Sequence, residues 1–453
     1  MRIVCSRSPP GVVSLVESIL LTAVVMVSKI EMSTQSKVPR DQNRGVSEMF
    51  RALRHRNFLL FWSGAFLSNV GSWMQAVAQG WLVLQLSNSP FWLGVDGFMA
   101  TAPGLLLTLA GGVFADLVDR RRLLIYSQVI AGMSALTLGT LVITGVVKVW
   151  MILGLSFVTG CCMSIAGPSY LALVFDLVGH EDLANAIALN STQFQLSRAL
   201  GPVFAWLGFR IFGLAGCFIA NGVSFGAVCA GLAMVKLNTP KPGLAADRSI
   251  RDRKAFISDL VEGFRYVRHR PRVFLILSLS AVTSLFGAPY LAMTPVFARD
   301  IFHLGETGLA LLMGTAGAGA LVGALFLAYL GDFRRKGWFV LGGDLGFSIC
   351  LICFSLSKAL VVSLIFLFAL GFAIVCSVAV SNTLLQKLVT DEMRGRVMSM
   401  FMLSFIGAMP IGNLLAGSAS HRFGVPHTLA AGGMIITIYV SLVAFRRPDL
   451  RDL

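Results

Sequence analysis

The chain has 453 residues, of which 56% are hydrophobic and only 13% charged, about half the charged share of a soluble domain, and its mean hydropathy is +0.78. That excludes a water-soluble globule, because a soluble chain of this length would divide into domains with charged surfaces. The formal net charge of +15 is not accompanied by a soluble domain with helical or aromatic readout elements, so no nucleic-acid partner is expected.

Residues 1–57 read as an N-terminal cytoplasmic or interfacial segment. Within it GVVSLVESILLTAVVMV, from Gly11, is apolar but short and interrupted by Glu17. A signal peptide, a surface-lying helix and a start placed upstream of Met32 are the alternatives, and no function is assigned to it. FRALRHR, from Phe50, closes the segment as an amphipathic basic lead-in that anionic lipids attract.

Twelve apolar runs follow, at 58–86, 93–115, 122–147, 149–174, 184–209, 213–235, 272–298, 307–330, 338–357, 359–385, 395–420 and 424–445. Each is about 20 residues or more, enough to cross about 30 Å of hydrocarbon as a helix. They lack the alternation of barrel strands, and only helices or closed barrels satisfy a backbone in lipid. The expected fold is an all-α integral membrane protein with twelve transmembrane helices.

With residue 57 on the cytoplasmic side, 29 lysines and arginines from Lys29 onward fall in cytoplasmic segments. Only Lys148, Arg210, Arg299, Lys358 and Arg422 fall opposite. This asymmetry places both ends of the core in the cytoplasm and accounts for the positive charge.

The chain repeats itself. FRALRHR at Phe50 meets FRYVRHR at Phe264, VDRRR at 118–122 meets GDFRR at 331–335, and LVGHEDLANA at 177–186 meets LVTDEMRGRV at 388–397. Each half is a six-helix unit, and an even number of spans makes the repeats parallel. The expected domains are a bundle over 58–236, a cytoplasmic linker over 237–271, a second bundle over 272–446 and a tail over 447–453.

Several polar residues fall inside the spans. On the first, Asn69, Ser72, Gln75 and Gln79 share an arc of about 120° at 100° per residue, so that face lines a cavity or packs inward. On the fifth, Asn190, Ser191, Ser197 and Arg198 share a similar arc. Arg198 is the one basic residue deep in a span; it either meets substrate or a coupling ion, or clamps carbonyls near Gly201 and Pro202, where proline bends a helix. Asp96 and Asp344 are the carboxylates within spans, and either can carry a proton if buried. The loop with Asp176, Glu181 and Asp182 contains no lysine or arginine and would face Arg334 and Arg335 as an ion-pair latch, with Asp332 beside them; a solvated loop is the alternative.

GGVFADLVDRRR between the second and third spans resembles the loop signature of the major facilitator superfamily, as does the arrangement of six plus six spans about a basic central loop. The lead-in, FADLVDRRR and NSTQFQLSRALGP at 190–202 resemble its twelve-span exporter branch, which includes macrolide and siderophore (enterobactin) efflux proteins. The resemblance covers about residues 48–446. It implies gating roles for Gly112, Asp116, Asp119, Arg120 and Arg121, with Asp116 facing the start of span eleven beside Arg394 and Arg396. In the second half it implies gating roles for Asp332, Arg334 and Arg335. Leu117 stands where the family carries a basic residue, and Ala205 and Trp206 where its span-five signature has two glycines.

The expectation is a multi-pass plasma (bacterial inner) membrane exporter of small amphipathic molecules, drug- or siderophore-like, working by alternating access on a proton gradient. It is expected to be a monomer in the lipid bilayer, without cofactor or metal. No Walker loop or histidine pair at metal-binding spacing occurs, and Cys350 and Cys353 read as helix packing. An importer of a polar metabolite and a non-transporting scaffold or lipid-handling protein are the alternatives.

Overall fold

The computed structural model describes residues 50–117, 119–235, 262–331 and 333–447. The apolar segment from Gly11, the linker up to residue 261, Asp332 and the tail from 448 lie outside the described residues, as do the side chains of Gly112 and Asp116.

No strand occurs among the described residues. After a short 3-10 turn at Arg51–Arg54 come α1 (Arg56–Ser87), α2 (Pro90–Leu117), α3 (Arg120–Ile143), α4 (Val149–Ile211) and α5 (Gly213–Met234). Then follow α6 (Pro271–Gly287), α7 (Tyr290–Val296, prolonged by a π turn at Phe297–Ile301), α8 (Gly305–Leu330) and α9 (Lys336–Leu356). The last are α10 (Leu360–Leu388), α11 (Asp391–Ile406), α12 (Ala408–Phe423) and α13 (Val425–Arg446). Among the described residues nine helices are long and apolar enough to cross a membrane.

Local chemistry sets the ends. Pro271 opens α6 at a position where a missing N–H costs nothing. Asp119 caps α3, its side chain accepting from the Arg122 amide at 2.9 Å. The 63-residue α4 was expected as two spans separated by a loop over 175–183; instead the helix runs on to a single joint at Gly179, with φ 70° and ψ −173°. No other residue between Phe175 and Asn185 breaks a helix, so only the glycine turns the chain. Pro202 sits within unbroken helix.

In the first half α1 packs on α4 and α5, α2 on α4, and α3 on α4 and α5. In the second, α10 packs on α8 and α9, α9 on α13, and α6 on α11, α12 and α13. Phe61 and Phe218 are fully buried in one half, Phe347 and Phe354 nearly or fully so in the other. Large apolar side chains such as Phe212, Ile365, Ile438 and Phe445 cover the outside, a surface suited to lipid.

Two seams join the halves: α2 lies along α12, and α8 along α4. Both need glycine. A Cβ on Gly94 would stand 2.4 Å from the Asn413 carbonyl oxygen, and one on Gly317 2.7 Å from that of Arg198. These helices meet backbone to backbone, the contact that small residues permit.

Candidate functional site

The polar face of α1 divides. Gln79 donates through Nε2 to both Asp96 oxygens, at 3.0 and 2.9 Å, and lies 2.8 Å from Ser156 Oγ. Ser156 in turn donates to Asp96 Oδ1 at 2.6 Å. The chain of contacts continues through Gln75, 3.4 Å from Gln79, to Asn221, which donates to Gln75 Oε1 at 2.7 Å, and to Ser224. One connected set of side chains thus links α1, α2, α4 and α5 inside the first half. Asn69 and Ser72, on the same arc, are half-exposed.

Asp344 has a different setting. It is 2% exposed within the second half and accepts from Ser377 Oγ at 2.7 Å. Asp96 is half-exposed.

Arg198 joins both halves. Its Nη2 donates to Tyr290 Oη at 3.2 Å, and its guanidinium carbon lies 5.6 Å from the centre of the Trp73 ring. Tyr290 begins α7 directly after the break at Ala288 and Pro289. Gly201, one turn on from Arg198, packs so closely on α1 that a Cβ there would lie 2.2 Å from Trp73 Cβ. Asn190 accepts from Tyr170 Oη at 3.3 Å and faces the helix packing of its own half.

At the basic end of the molecule the expected latch takes another form. Asp182 is bound by Arg51 and by His55, whose Nε2 is 2.7 Å from Oδ2, and Arg51 also reaches the Glu181 carbonyl at 3.2 Å. Asn185 accepts from the Ala52 amide at 3.0 Å, and Ala52 is fully buried. Asp176 pairs with Arg120 at 3.2 Å. The acidic loop is therefore held within its own half, while Arg334 and Arg335 are exposed. The lead-in supplied cations already tethered to α1, nearer than those of the other half. In the second half the matching contact is Arg396 to Glu262, at 2.9 Å. The hydrogen bond from His55, then that from Arg51, holds the Asp182 carboxyl below its ordinary range.

Of the other motif residues, Arg121 donates to the Ala233 carbonyl at 2.7 Å, tying α3 to the end of α5, and Arg394 pairs locally with Asp391. At the far end the halves meet: Arg299 donates to the Leu84 carbonyl at 3.1 Å and to Asn88 Oδ1 at 2.8 Å. A Cβ on Gly97 would stand 2.7 Å from Asn413 Nδ2. Sequence reasoning did not single out Trp73, Tyr290 or Asn413, and it named Arg299 only as a basic residue of the far side; the break at Pro289 was the one signal near Tyr290.

Two packed halves of apolar helices, with amides, a carboxyl and a guanidinium held at and between them, are the architecture of a membrane transporter. The chain belongs to the transmembrane secretion effector family of the major facilitator superfamily, whose family model matches residues 47–452, and it is a multi-pass cell-membrane protein. It is 24% identical over 401 residues to macrolide efflux protein A of Streptococcus pyogenes, covering 87% of this chain and 97% of the relative. It is 23% identical over 393 residues to the staphyloferrin A transporter of Staphylococcus aureus, covering 85% and 94%. A bacterial homologue of the human lysosomal transporter Spinster, in an inward-facing and occupied conformation, shares the fold with a TM-score of 0.67 at 14% identity, covering 88% of this chain and 98% of that one.

Proposed function

We propose that the protein is a proton-coupled secondary exporter of small amphipathic molecules, drug- or siderophore-like, working by alternating access. The observation that carries this reading is the Asp96 carboxyl, half-exposed and held by Gln79 and Ser156 in a polar chain spanning four helices of one half. A membrane-embedded carboxyl in such a setting is a functional group by default, because lipid penalises it. Asp344, buried between α9 and α10 and hydrogen-bonded to Ser377, is the second proton-coupling candidate. Macrolide and staphyloferrin relatives support outward transport.

The chain crosses the bilayer twelve times, with α4 supplying two crossings on either side of Gly179 and both core termini in the cytoplasm. Residues 58–236 and 272–446 form the two bundles, joined by the linker over 237–271, and the protein works as a monomer. The contacts of Arg299 and of Gly94 and Gly97 then close the external side, so this is the state open to the cytoplasm. Residues Asp119, Arg120, Arg121, Arg334, Arg335 and Arg394 border that opening. Asn69, Ser72 and Arg198 belong to the substrate pathway.

Accumulation of a macrolide, a fluorescent cation and a catecholate siderophore in expressing cells tests the reading. Lower accumulation than in control cells, reversed by a protonophore, supports it; raised accumulation supports the importer instead.

A further inference from the structure

Arg198 is short of negative charge. It stands near the middle of the second leg of α4, and among the described residues no carboxylate pairs with it. One of its five N–H donors is spent on Tyr290, and the Trp73 ring covers one face. Asp96 is bound to Gln79 and Ser156, and Asp344 to Ser377. The mid-membrane site between the halves is therefore cationic, and a membrane-embedded cation without a counter-charge is costly.

The walls around it are aromatic. Trp73 meets Phe194 edge to face at 5.9 Å, and Tyr290 meets Phe347 edge to face at 6.3 Å. Both rings are thus fixed in orientation by neighbours on other helices. Trp73 and Arg198 come from the first half and Tyr290 from the second, directly past the break in its span. A ligand seated here touches both halves, which is what coupling its passage to their movement requires.

We infer that Arg198, Trp73 and Tyr290 form a seat for an anionic oxygen group carried on a flat apolar body, so that the exported molecule is an amphipathic carboxylate or phenolate and not a cation. This rests on the exporter reading above. A guanidinium binds a carboxylate through paired donors, a geometry that a neutral amide does not match in charge and an ammonium reverses. The rings supply stacking surface without a second charge.

The test uses the full chain in nanodiscs of neutral lipid, so that no anionic headgroup competes. Binding of 2-naphthoate, 2-naphthamide and 2-naphthylmethylammonium is measured by equilibrium dialysis against empty discs. Wild type should hold the carboxylate about tenfold or more tighter than the amide, the factor expected of one charge-assisted hydrogen bond, with the ammonium weakest. Arg198→Gln should bring the carboxylate-to-amide ratio to near one, and Arg198→Lys should retain part of the preference. Equal or weaker binding of the carboxylate by wild type, or an unchanged ratio in Arg198→Gln, overturns the inference; if that variant does not fold, the wild-type ratio decides alone. Export of a macrolide cation without acid preference would overturn the anion seat and leave the exporter standing. Acid preference in discs with no transport by cells would support the seat and remove the exporter.

Discussion

Gln79 gives one amide nitrogen to both oxygens of the Asp96 carboxylate, at 3.0 and 2.9 Å. The bond ties α1 to α2 at the point where a proton taken up by Asp96 would weaken the acceptor. Asp96→Asn keeps the shape and removes the titration. In reconstituted vesicles it should abolish gradient-driven transport while leaving substrate exchange at zero gradient intact; loss of both would make Asp96 a structural residue.

The lead-in of the first half is a clasp on the joint at Gly179. Asp182 has a pKa lowered from its ordinary 3.8 by His55 and Arg51. Its contribution to docking is therefore complete above that ordinary value and is lost as pH falls from it through the lowered folded value. Hydrogen exchange at the Ala52 amide, which donates to Asn185, should stay slow at neutral and mildly acidic pH in wild type and become fast at neutral pH in Asp182→Asn. Slow exchange in that variant would show that the buried Ala52 holds the segment without the charges.

The second half repeats the contact with the charges exchanged, Glu262 on the lead-in side and Arg396 at the start of α11. Arg396→Glu should reduce transport, and adding Glu262→Arg should restore part of it. The pair is partly exposed, so its worth is at most about 1 kcal/mol, and the rescue should be correspondingly modest. No rescue would leave the pair without a role.

At the far end, Gly97 and Asn413 face each other across the seam between α2 and α12, and a Cβ on Gly97 would stand 3.2 Å from Asn413 Cβ. That is slightly shorter than the usual disulfide separation of about 3.5–4.5 Å, so a small backbone shift brings the two Cβ atoms into range. The double variant Gly97→Cys, Asn413→Cys should cross-link under mild oxidation and stop transport, and a reductant should restore both. Cross-linking without loss of transport would show that this seam does not open.

Gly317 tests the other seam. Gly317→Leu would press on the backbone at Arg198 and Ala199, and overpacking of this kind costs about 1–3 kcal/mol. A lower melting temperature in detergent checks it.

The helices were legible because a long apolar run reads as one, and most of their ends lie within a few residues of the expected ones, with nine among the described residues long and apolar enough to cross a membrane. The joint at Gly179 was less so, since a polar loop there and a lone glycine between two helices read alike until the torsions are known. Asp119 was read as a gating residue through resemblance, though an aspartate three residues before a helical amide is also a cap, and the cap is what forms. The acidic loop was recognised as needing cations, but charge complementarity alone favoured Arg334 and Arg335. Arg51 and His55, 131 and 127 residues from Asp182, reach it because α1 packs along α4, and packing does not show in a linear pattern. Arg198 was legible as a costly residue, whereas its neighbours Trp73 and Tyr290 passed as ordinary apolar positions.

Inverted membrane vesicles carrying the protein, with an imposed pH gradient whose interior is acidic, measure proton-coupled export most directly. A labelled amphipathic substrate should enter wild-type vesicles when the gradient is applied, fail to enter when it is collapsed, and not enter vesicles carrying Asp96→Asn. Gradient-driven loss of substrate from preloaded vesicles, or uptake that is the same with and without the gradient, would contradict it.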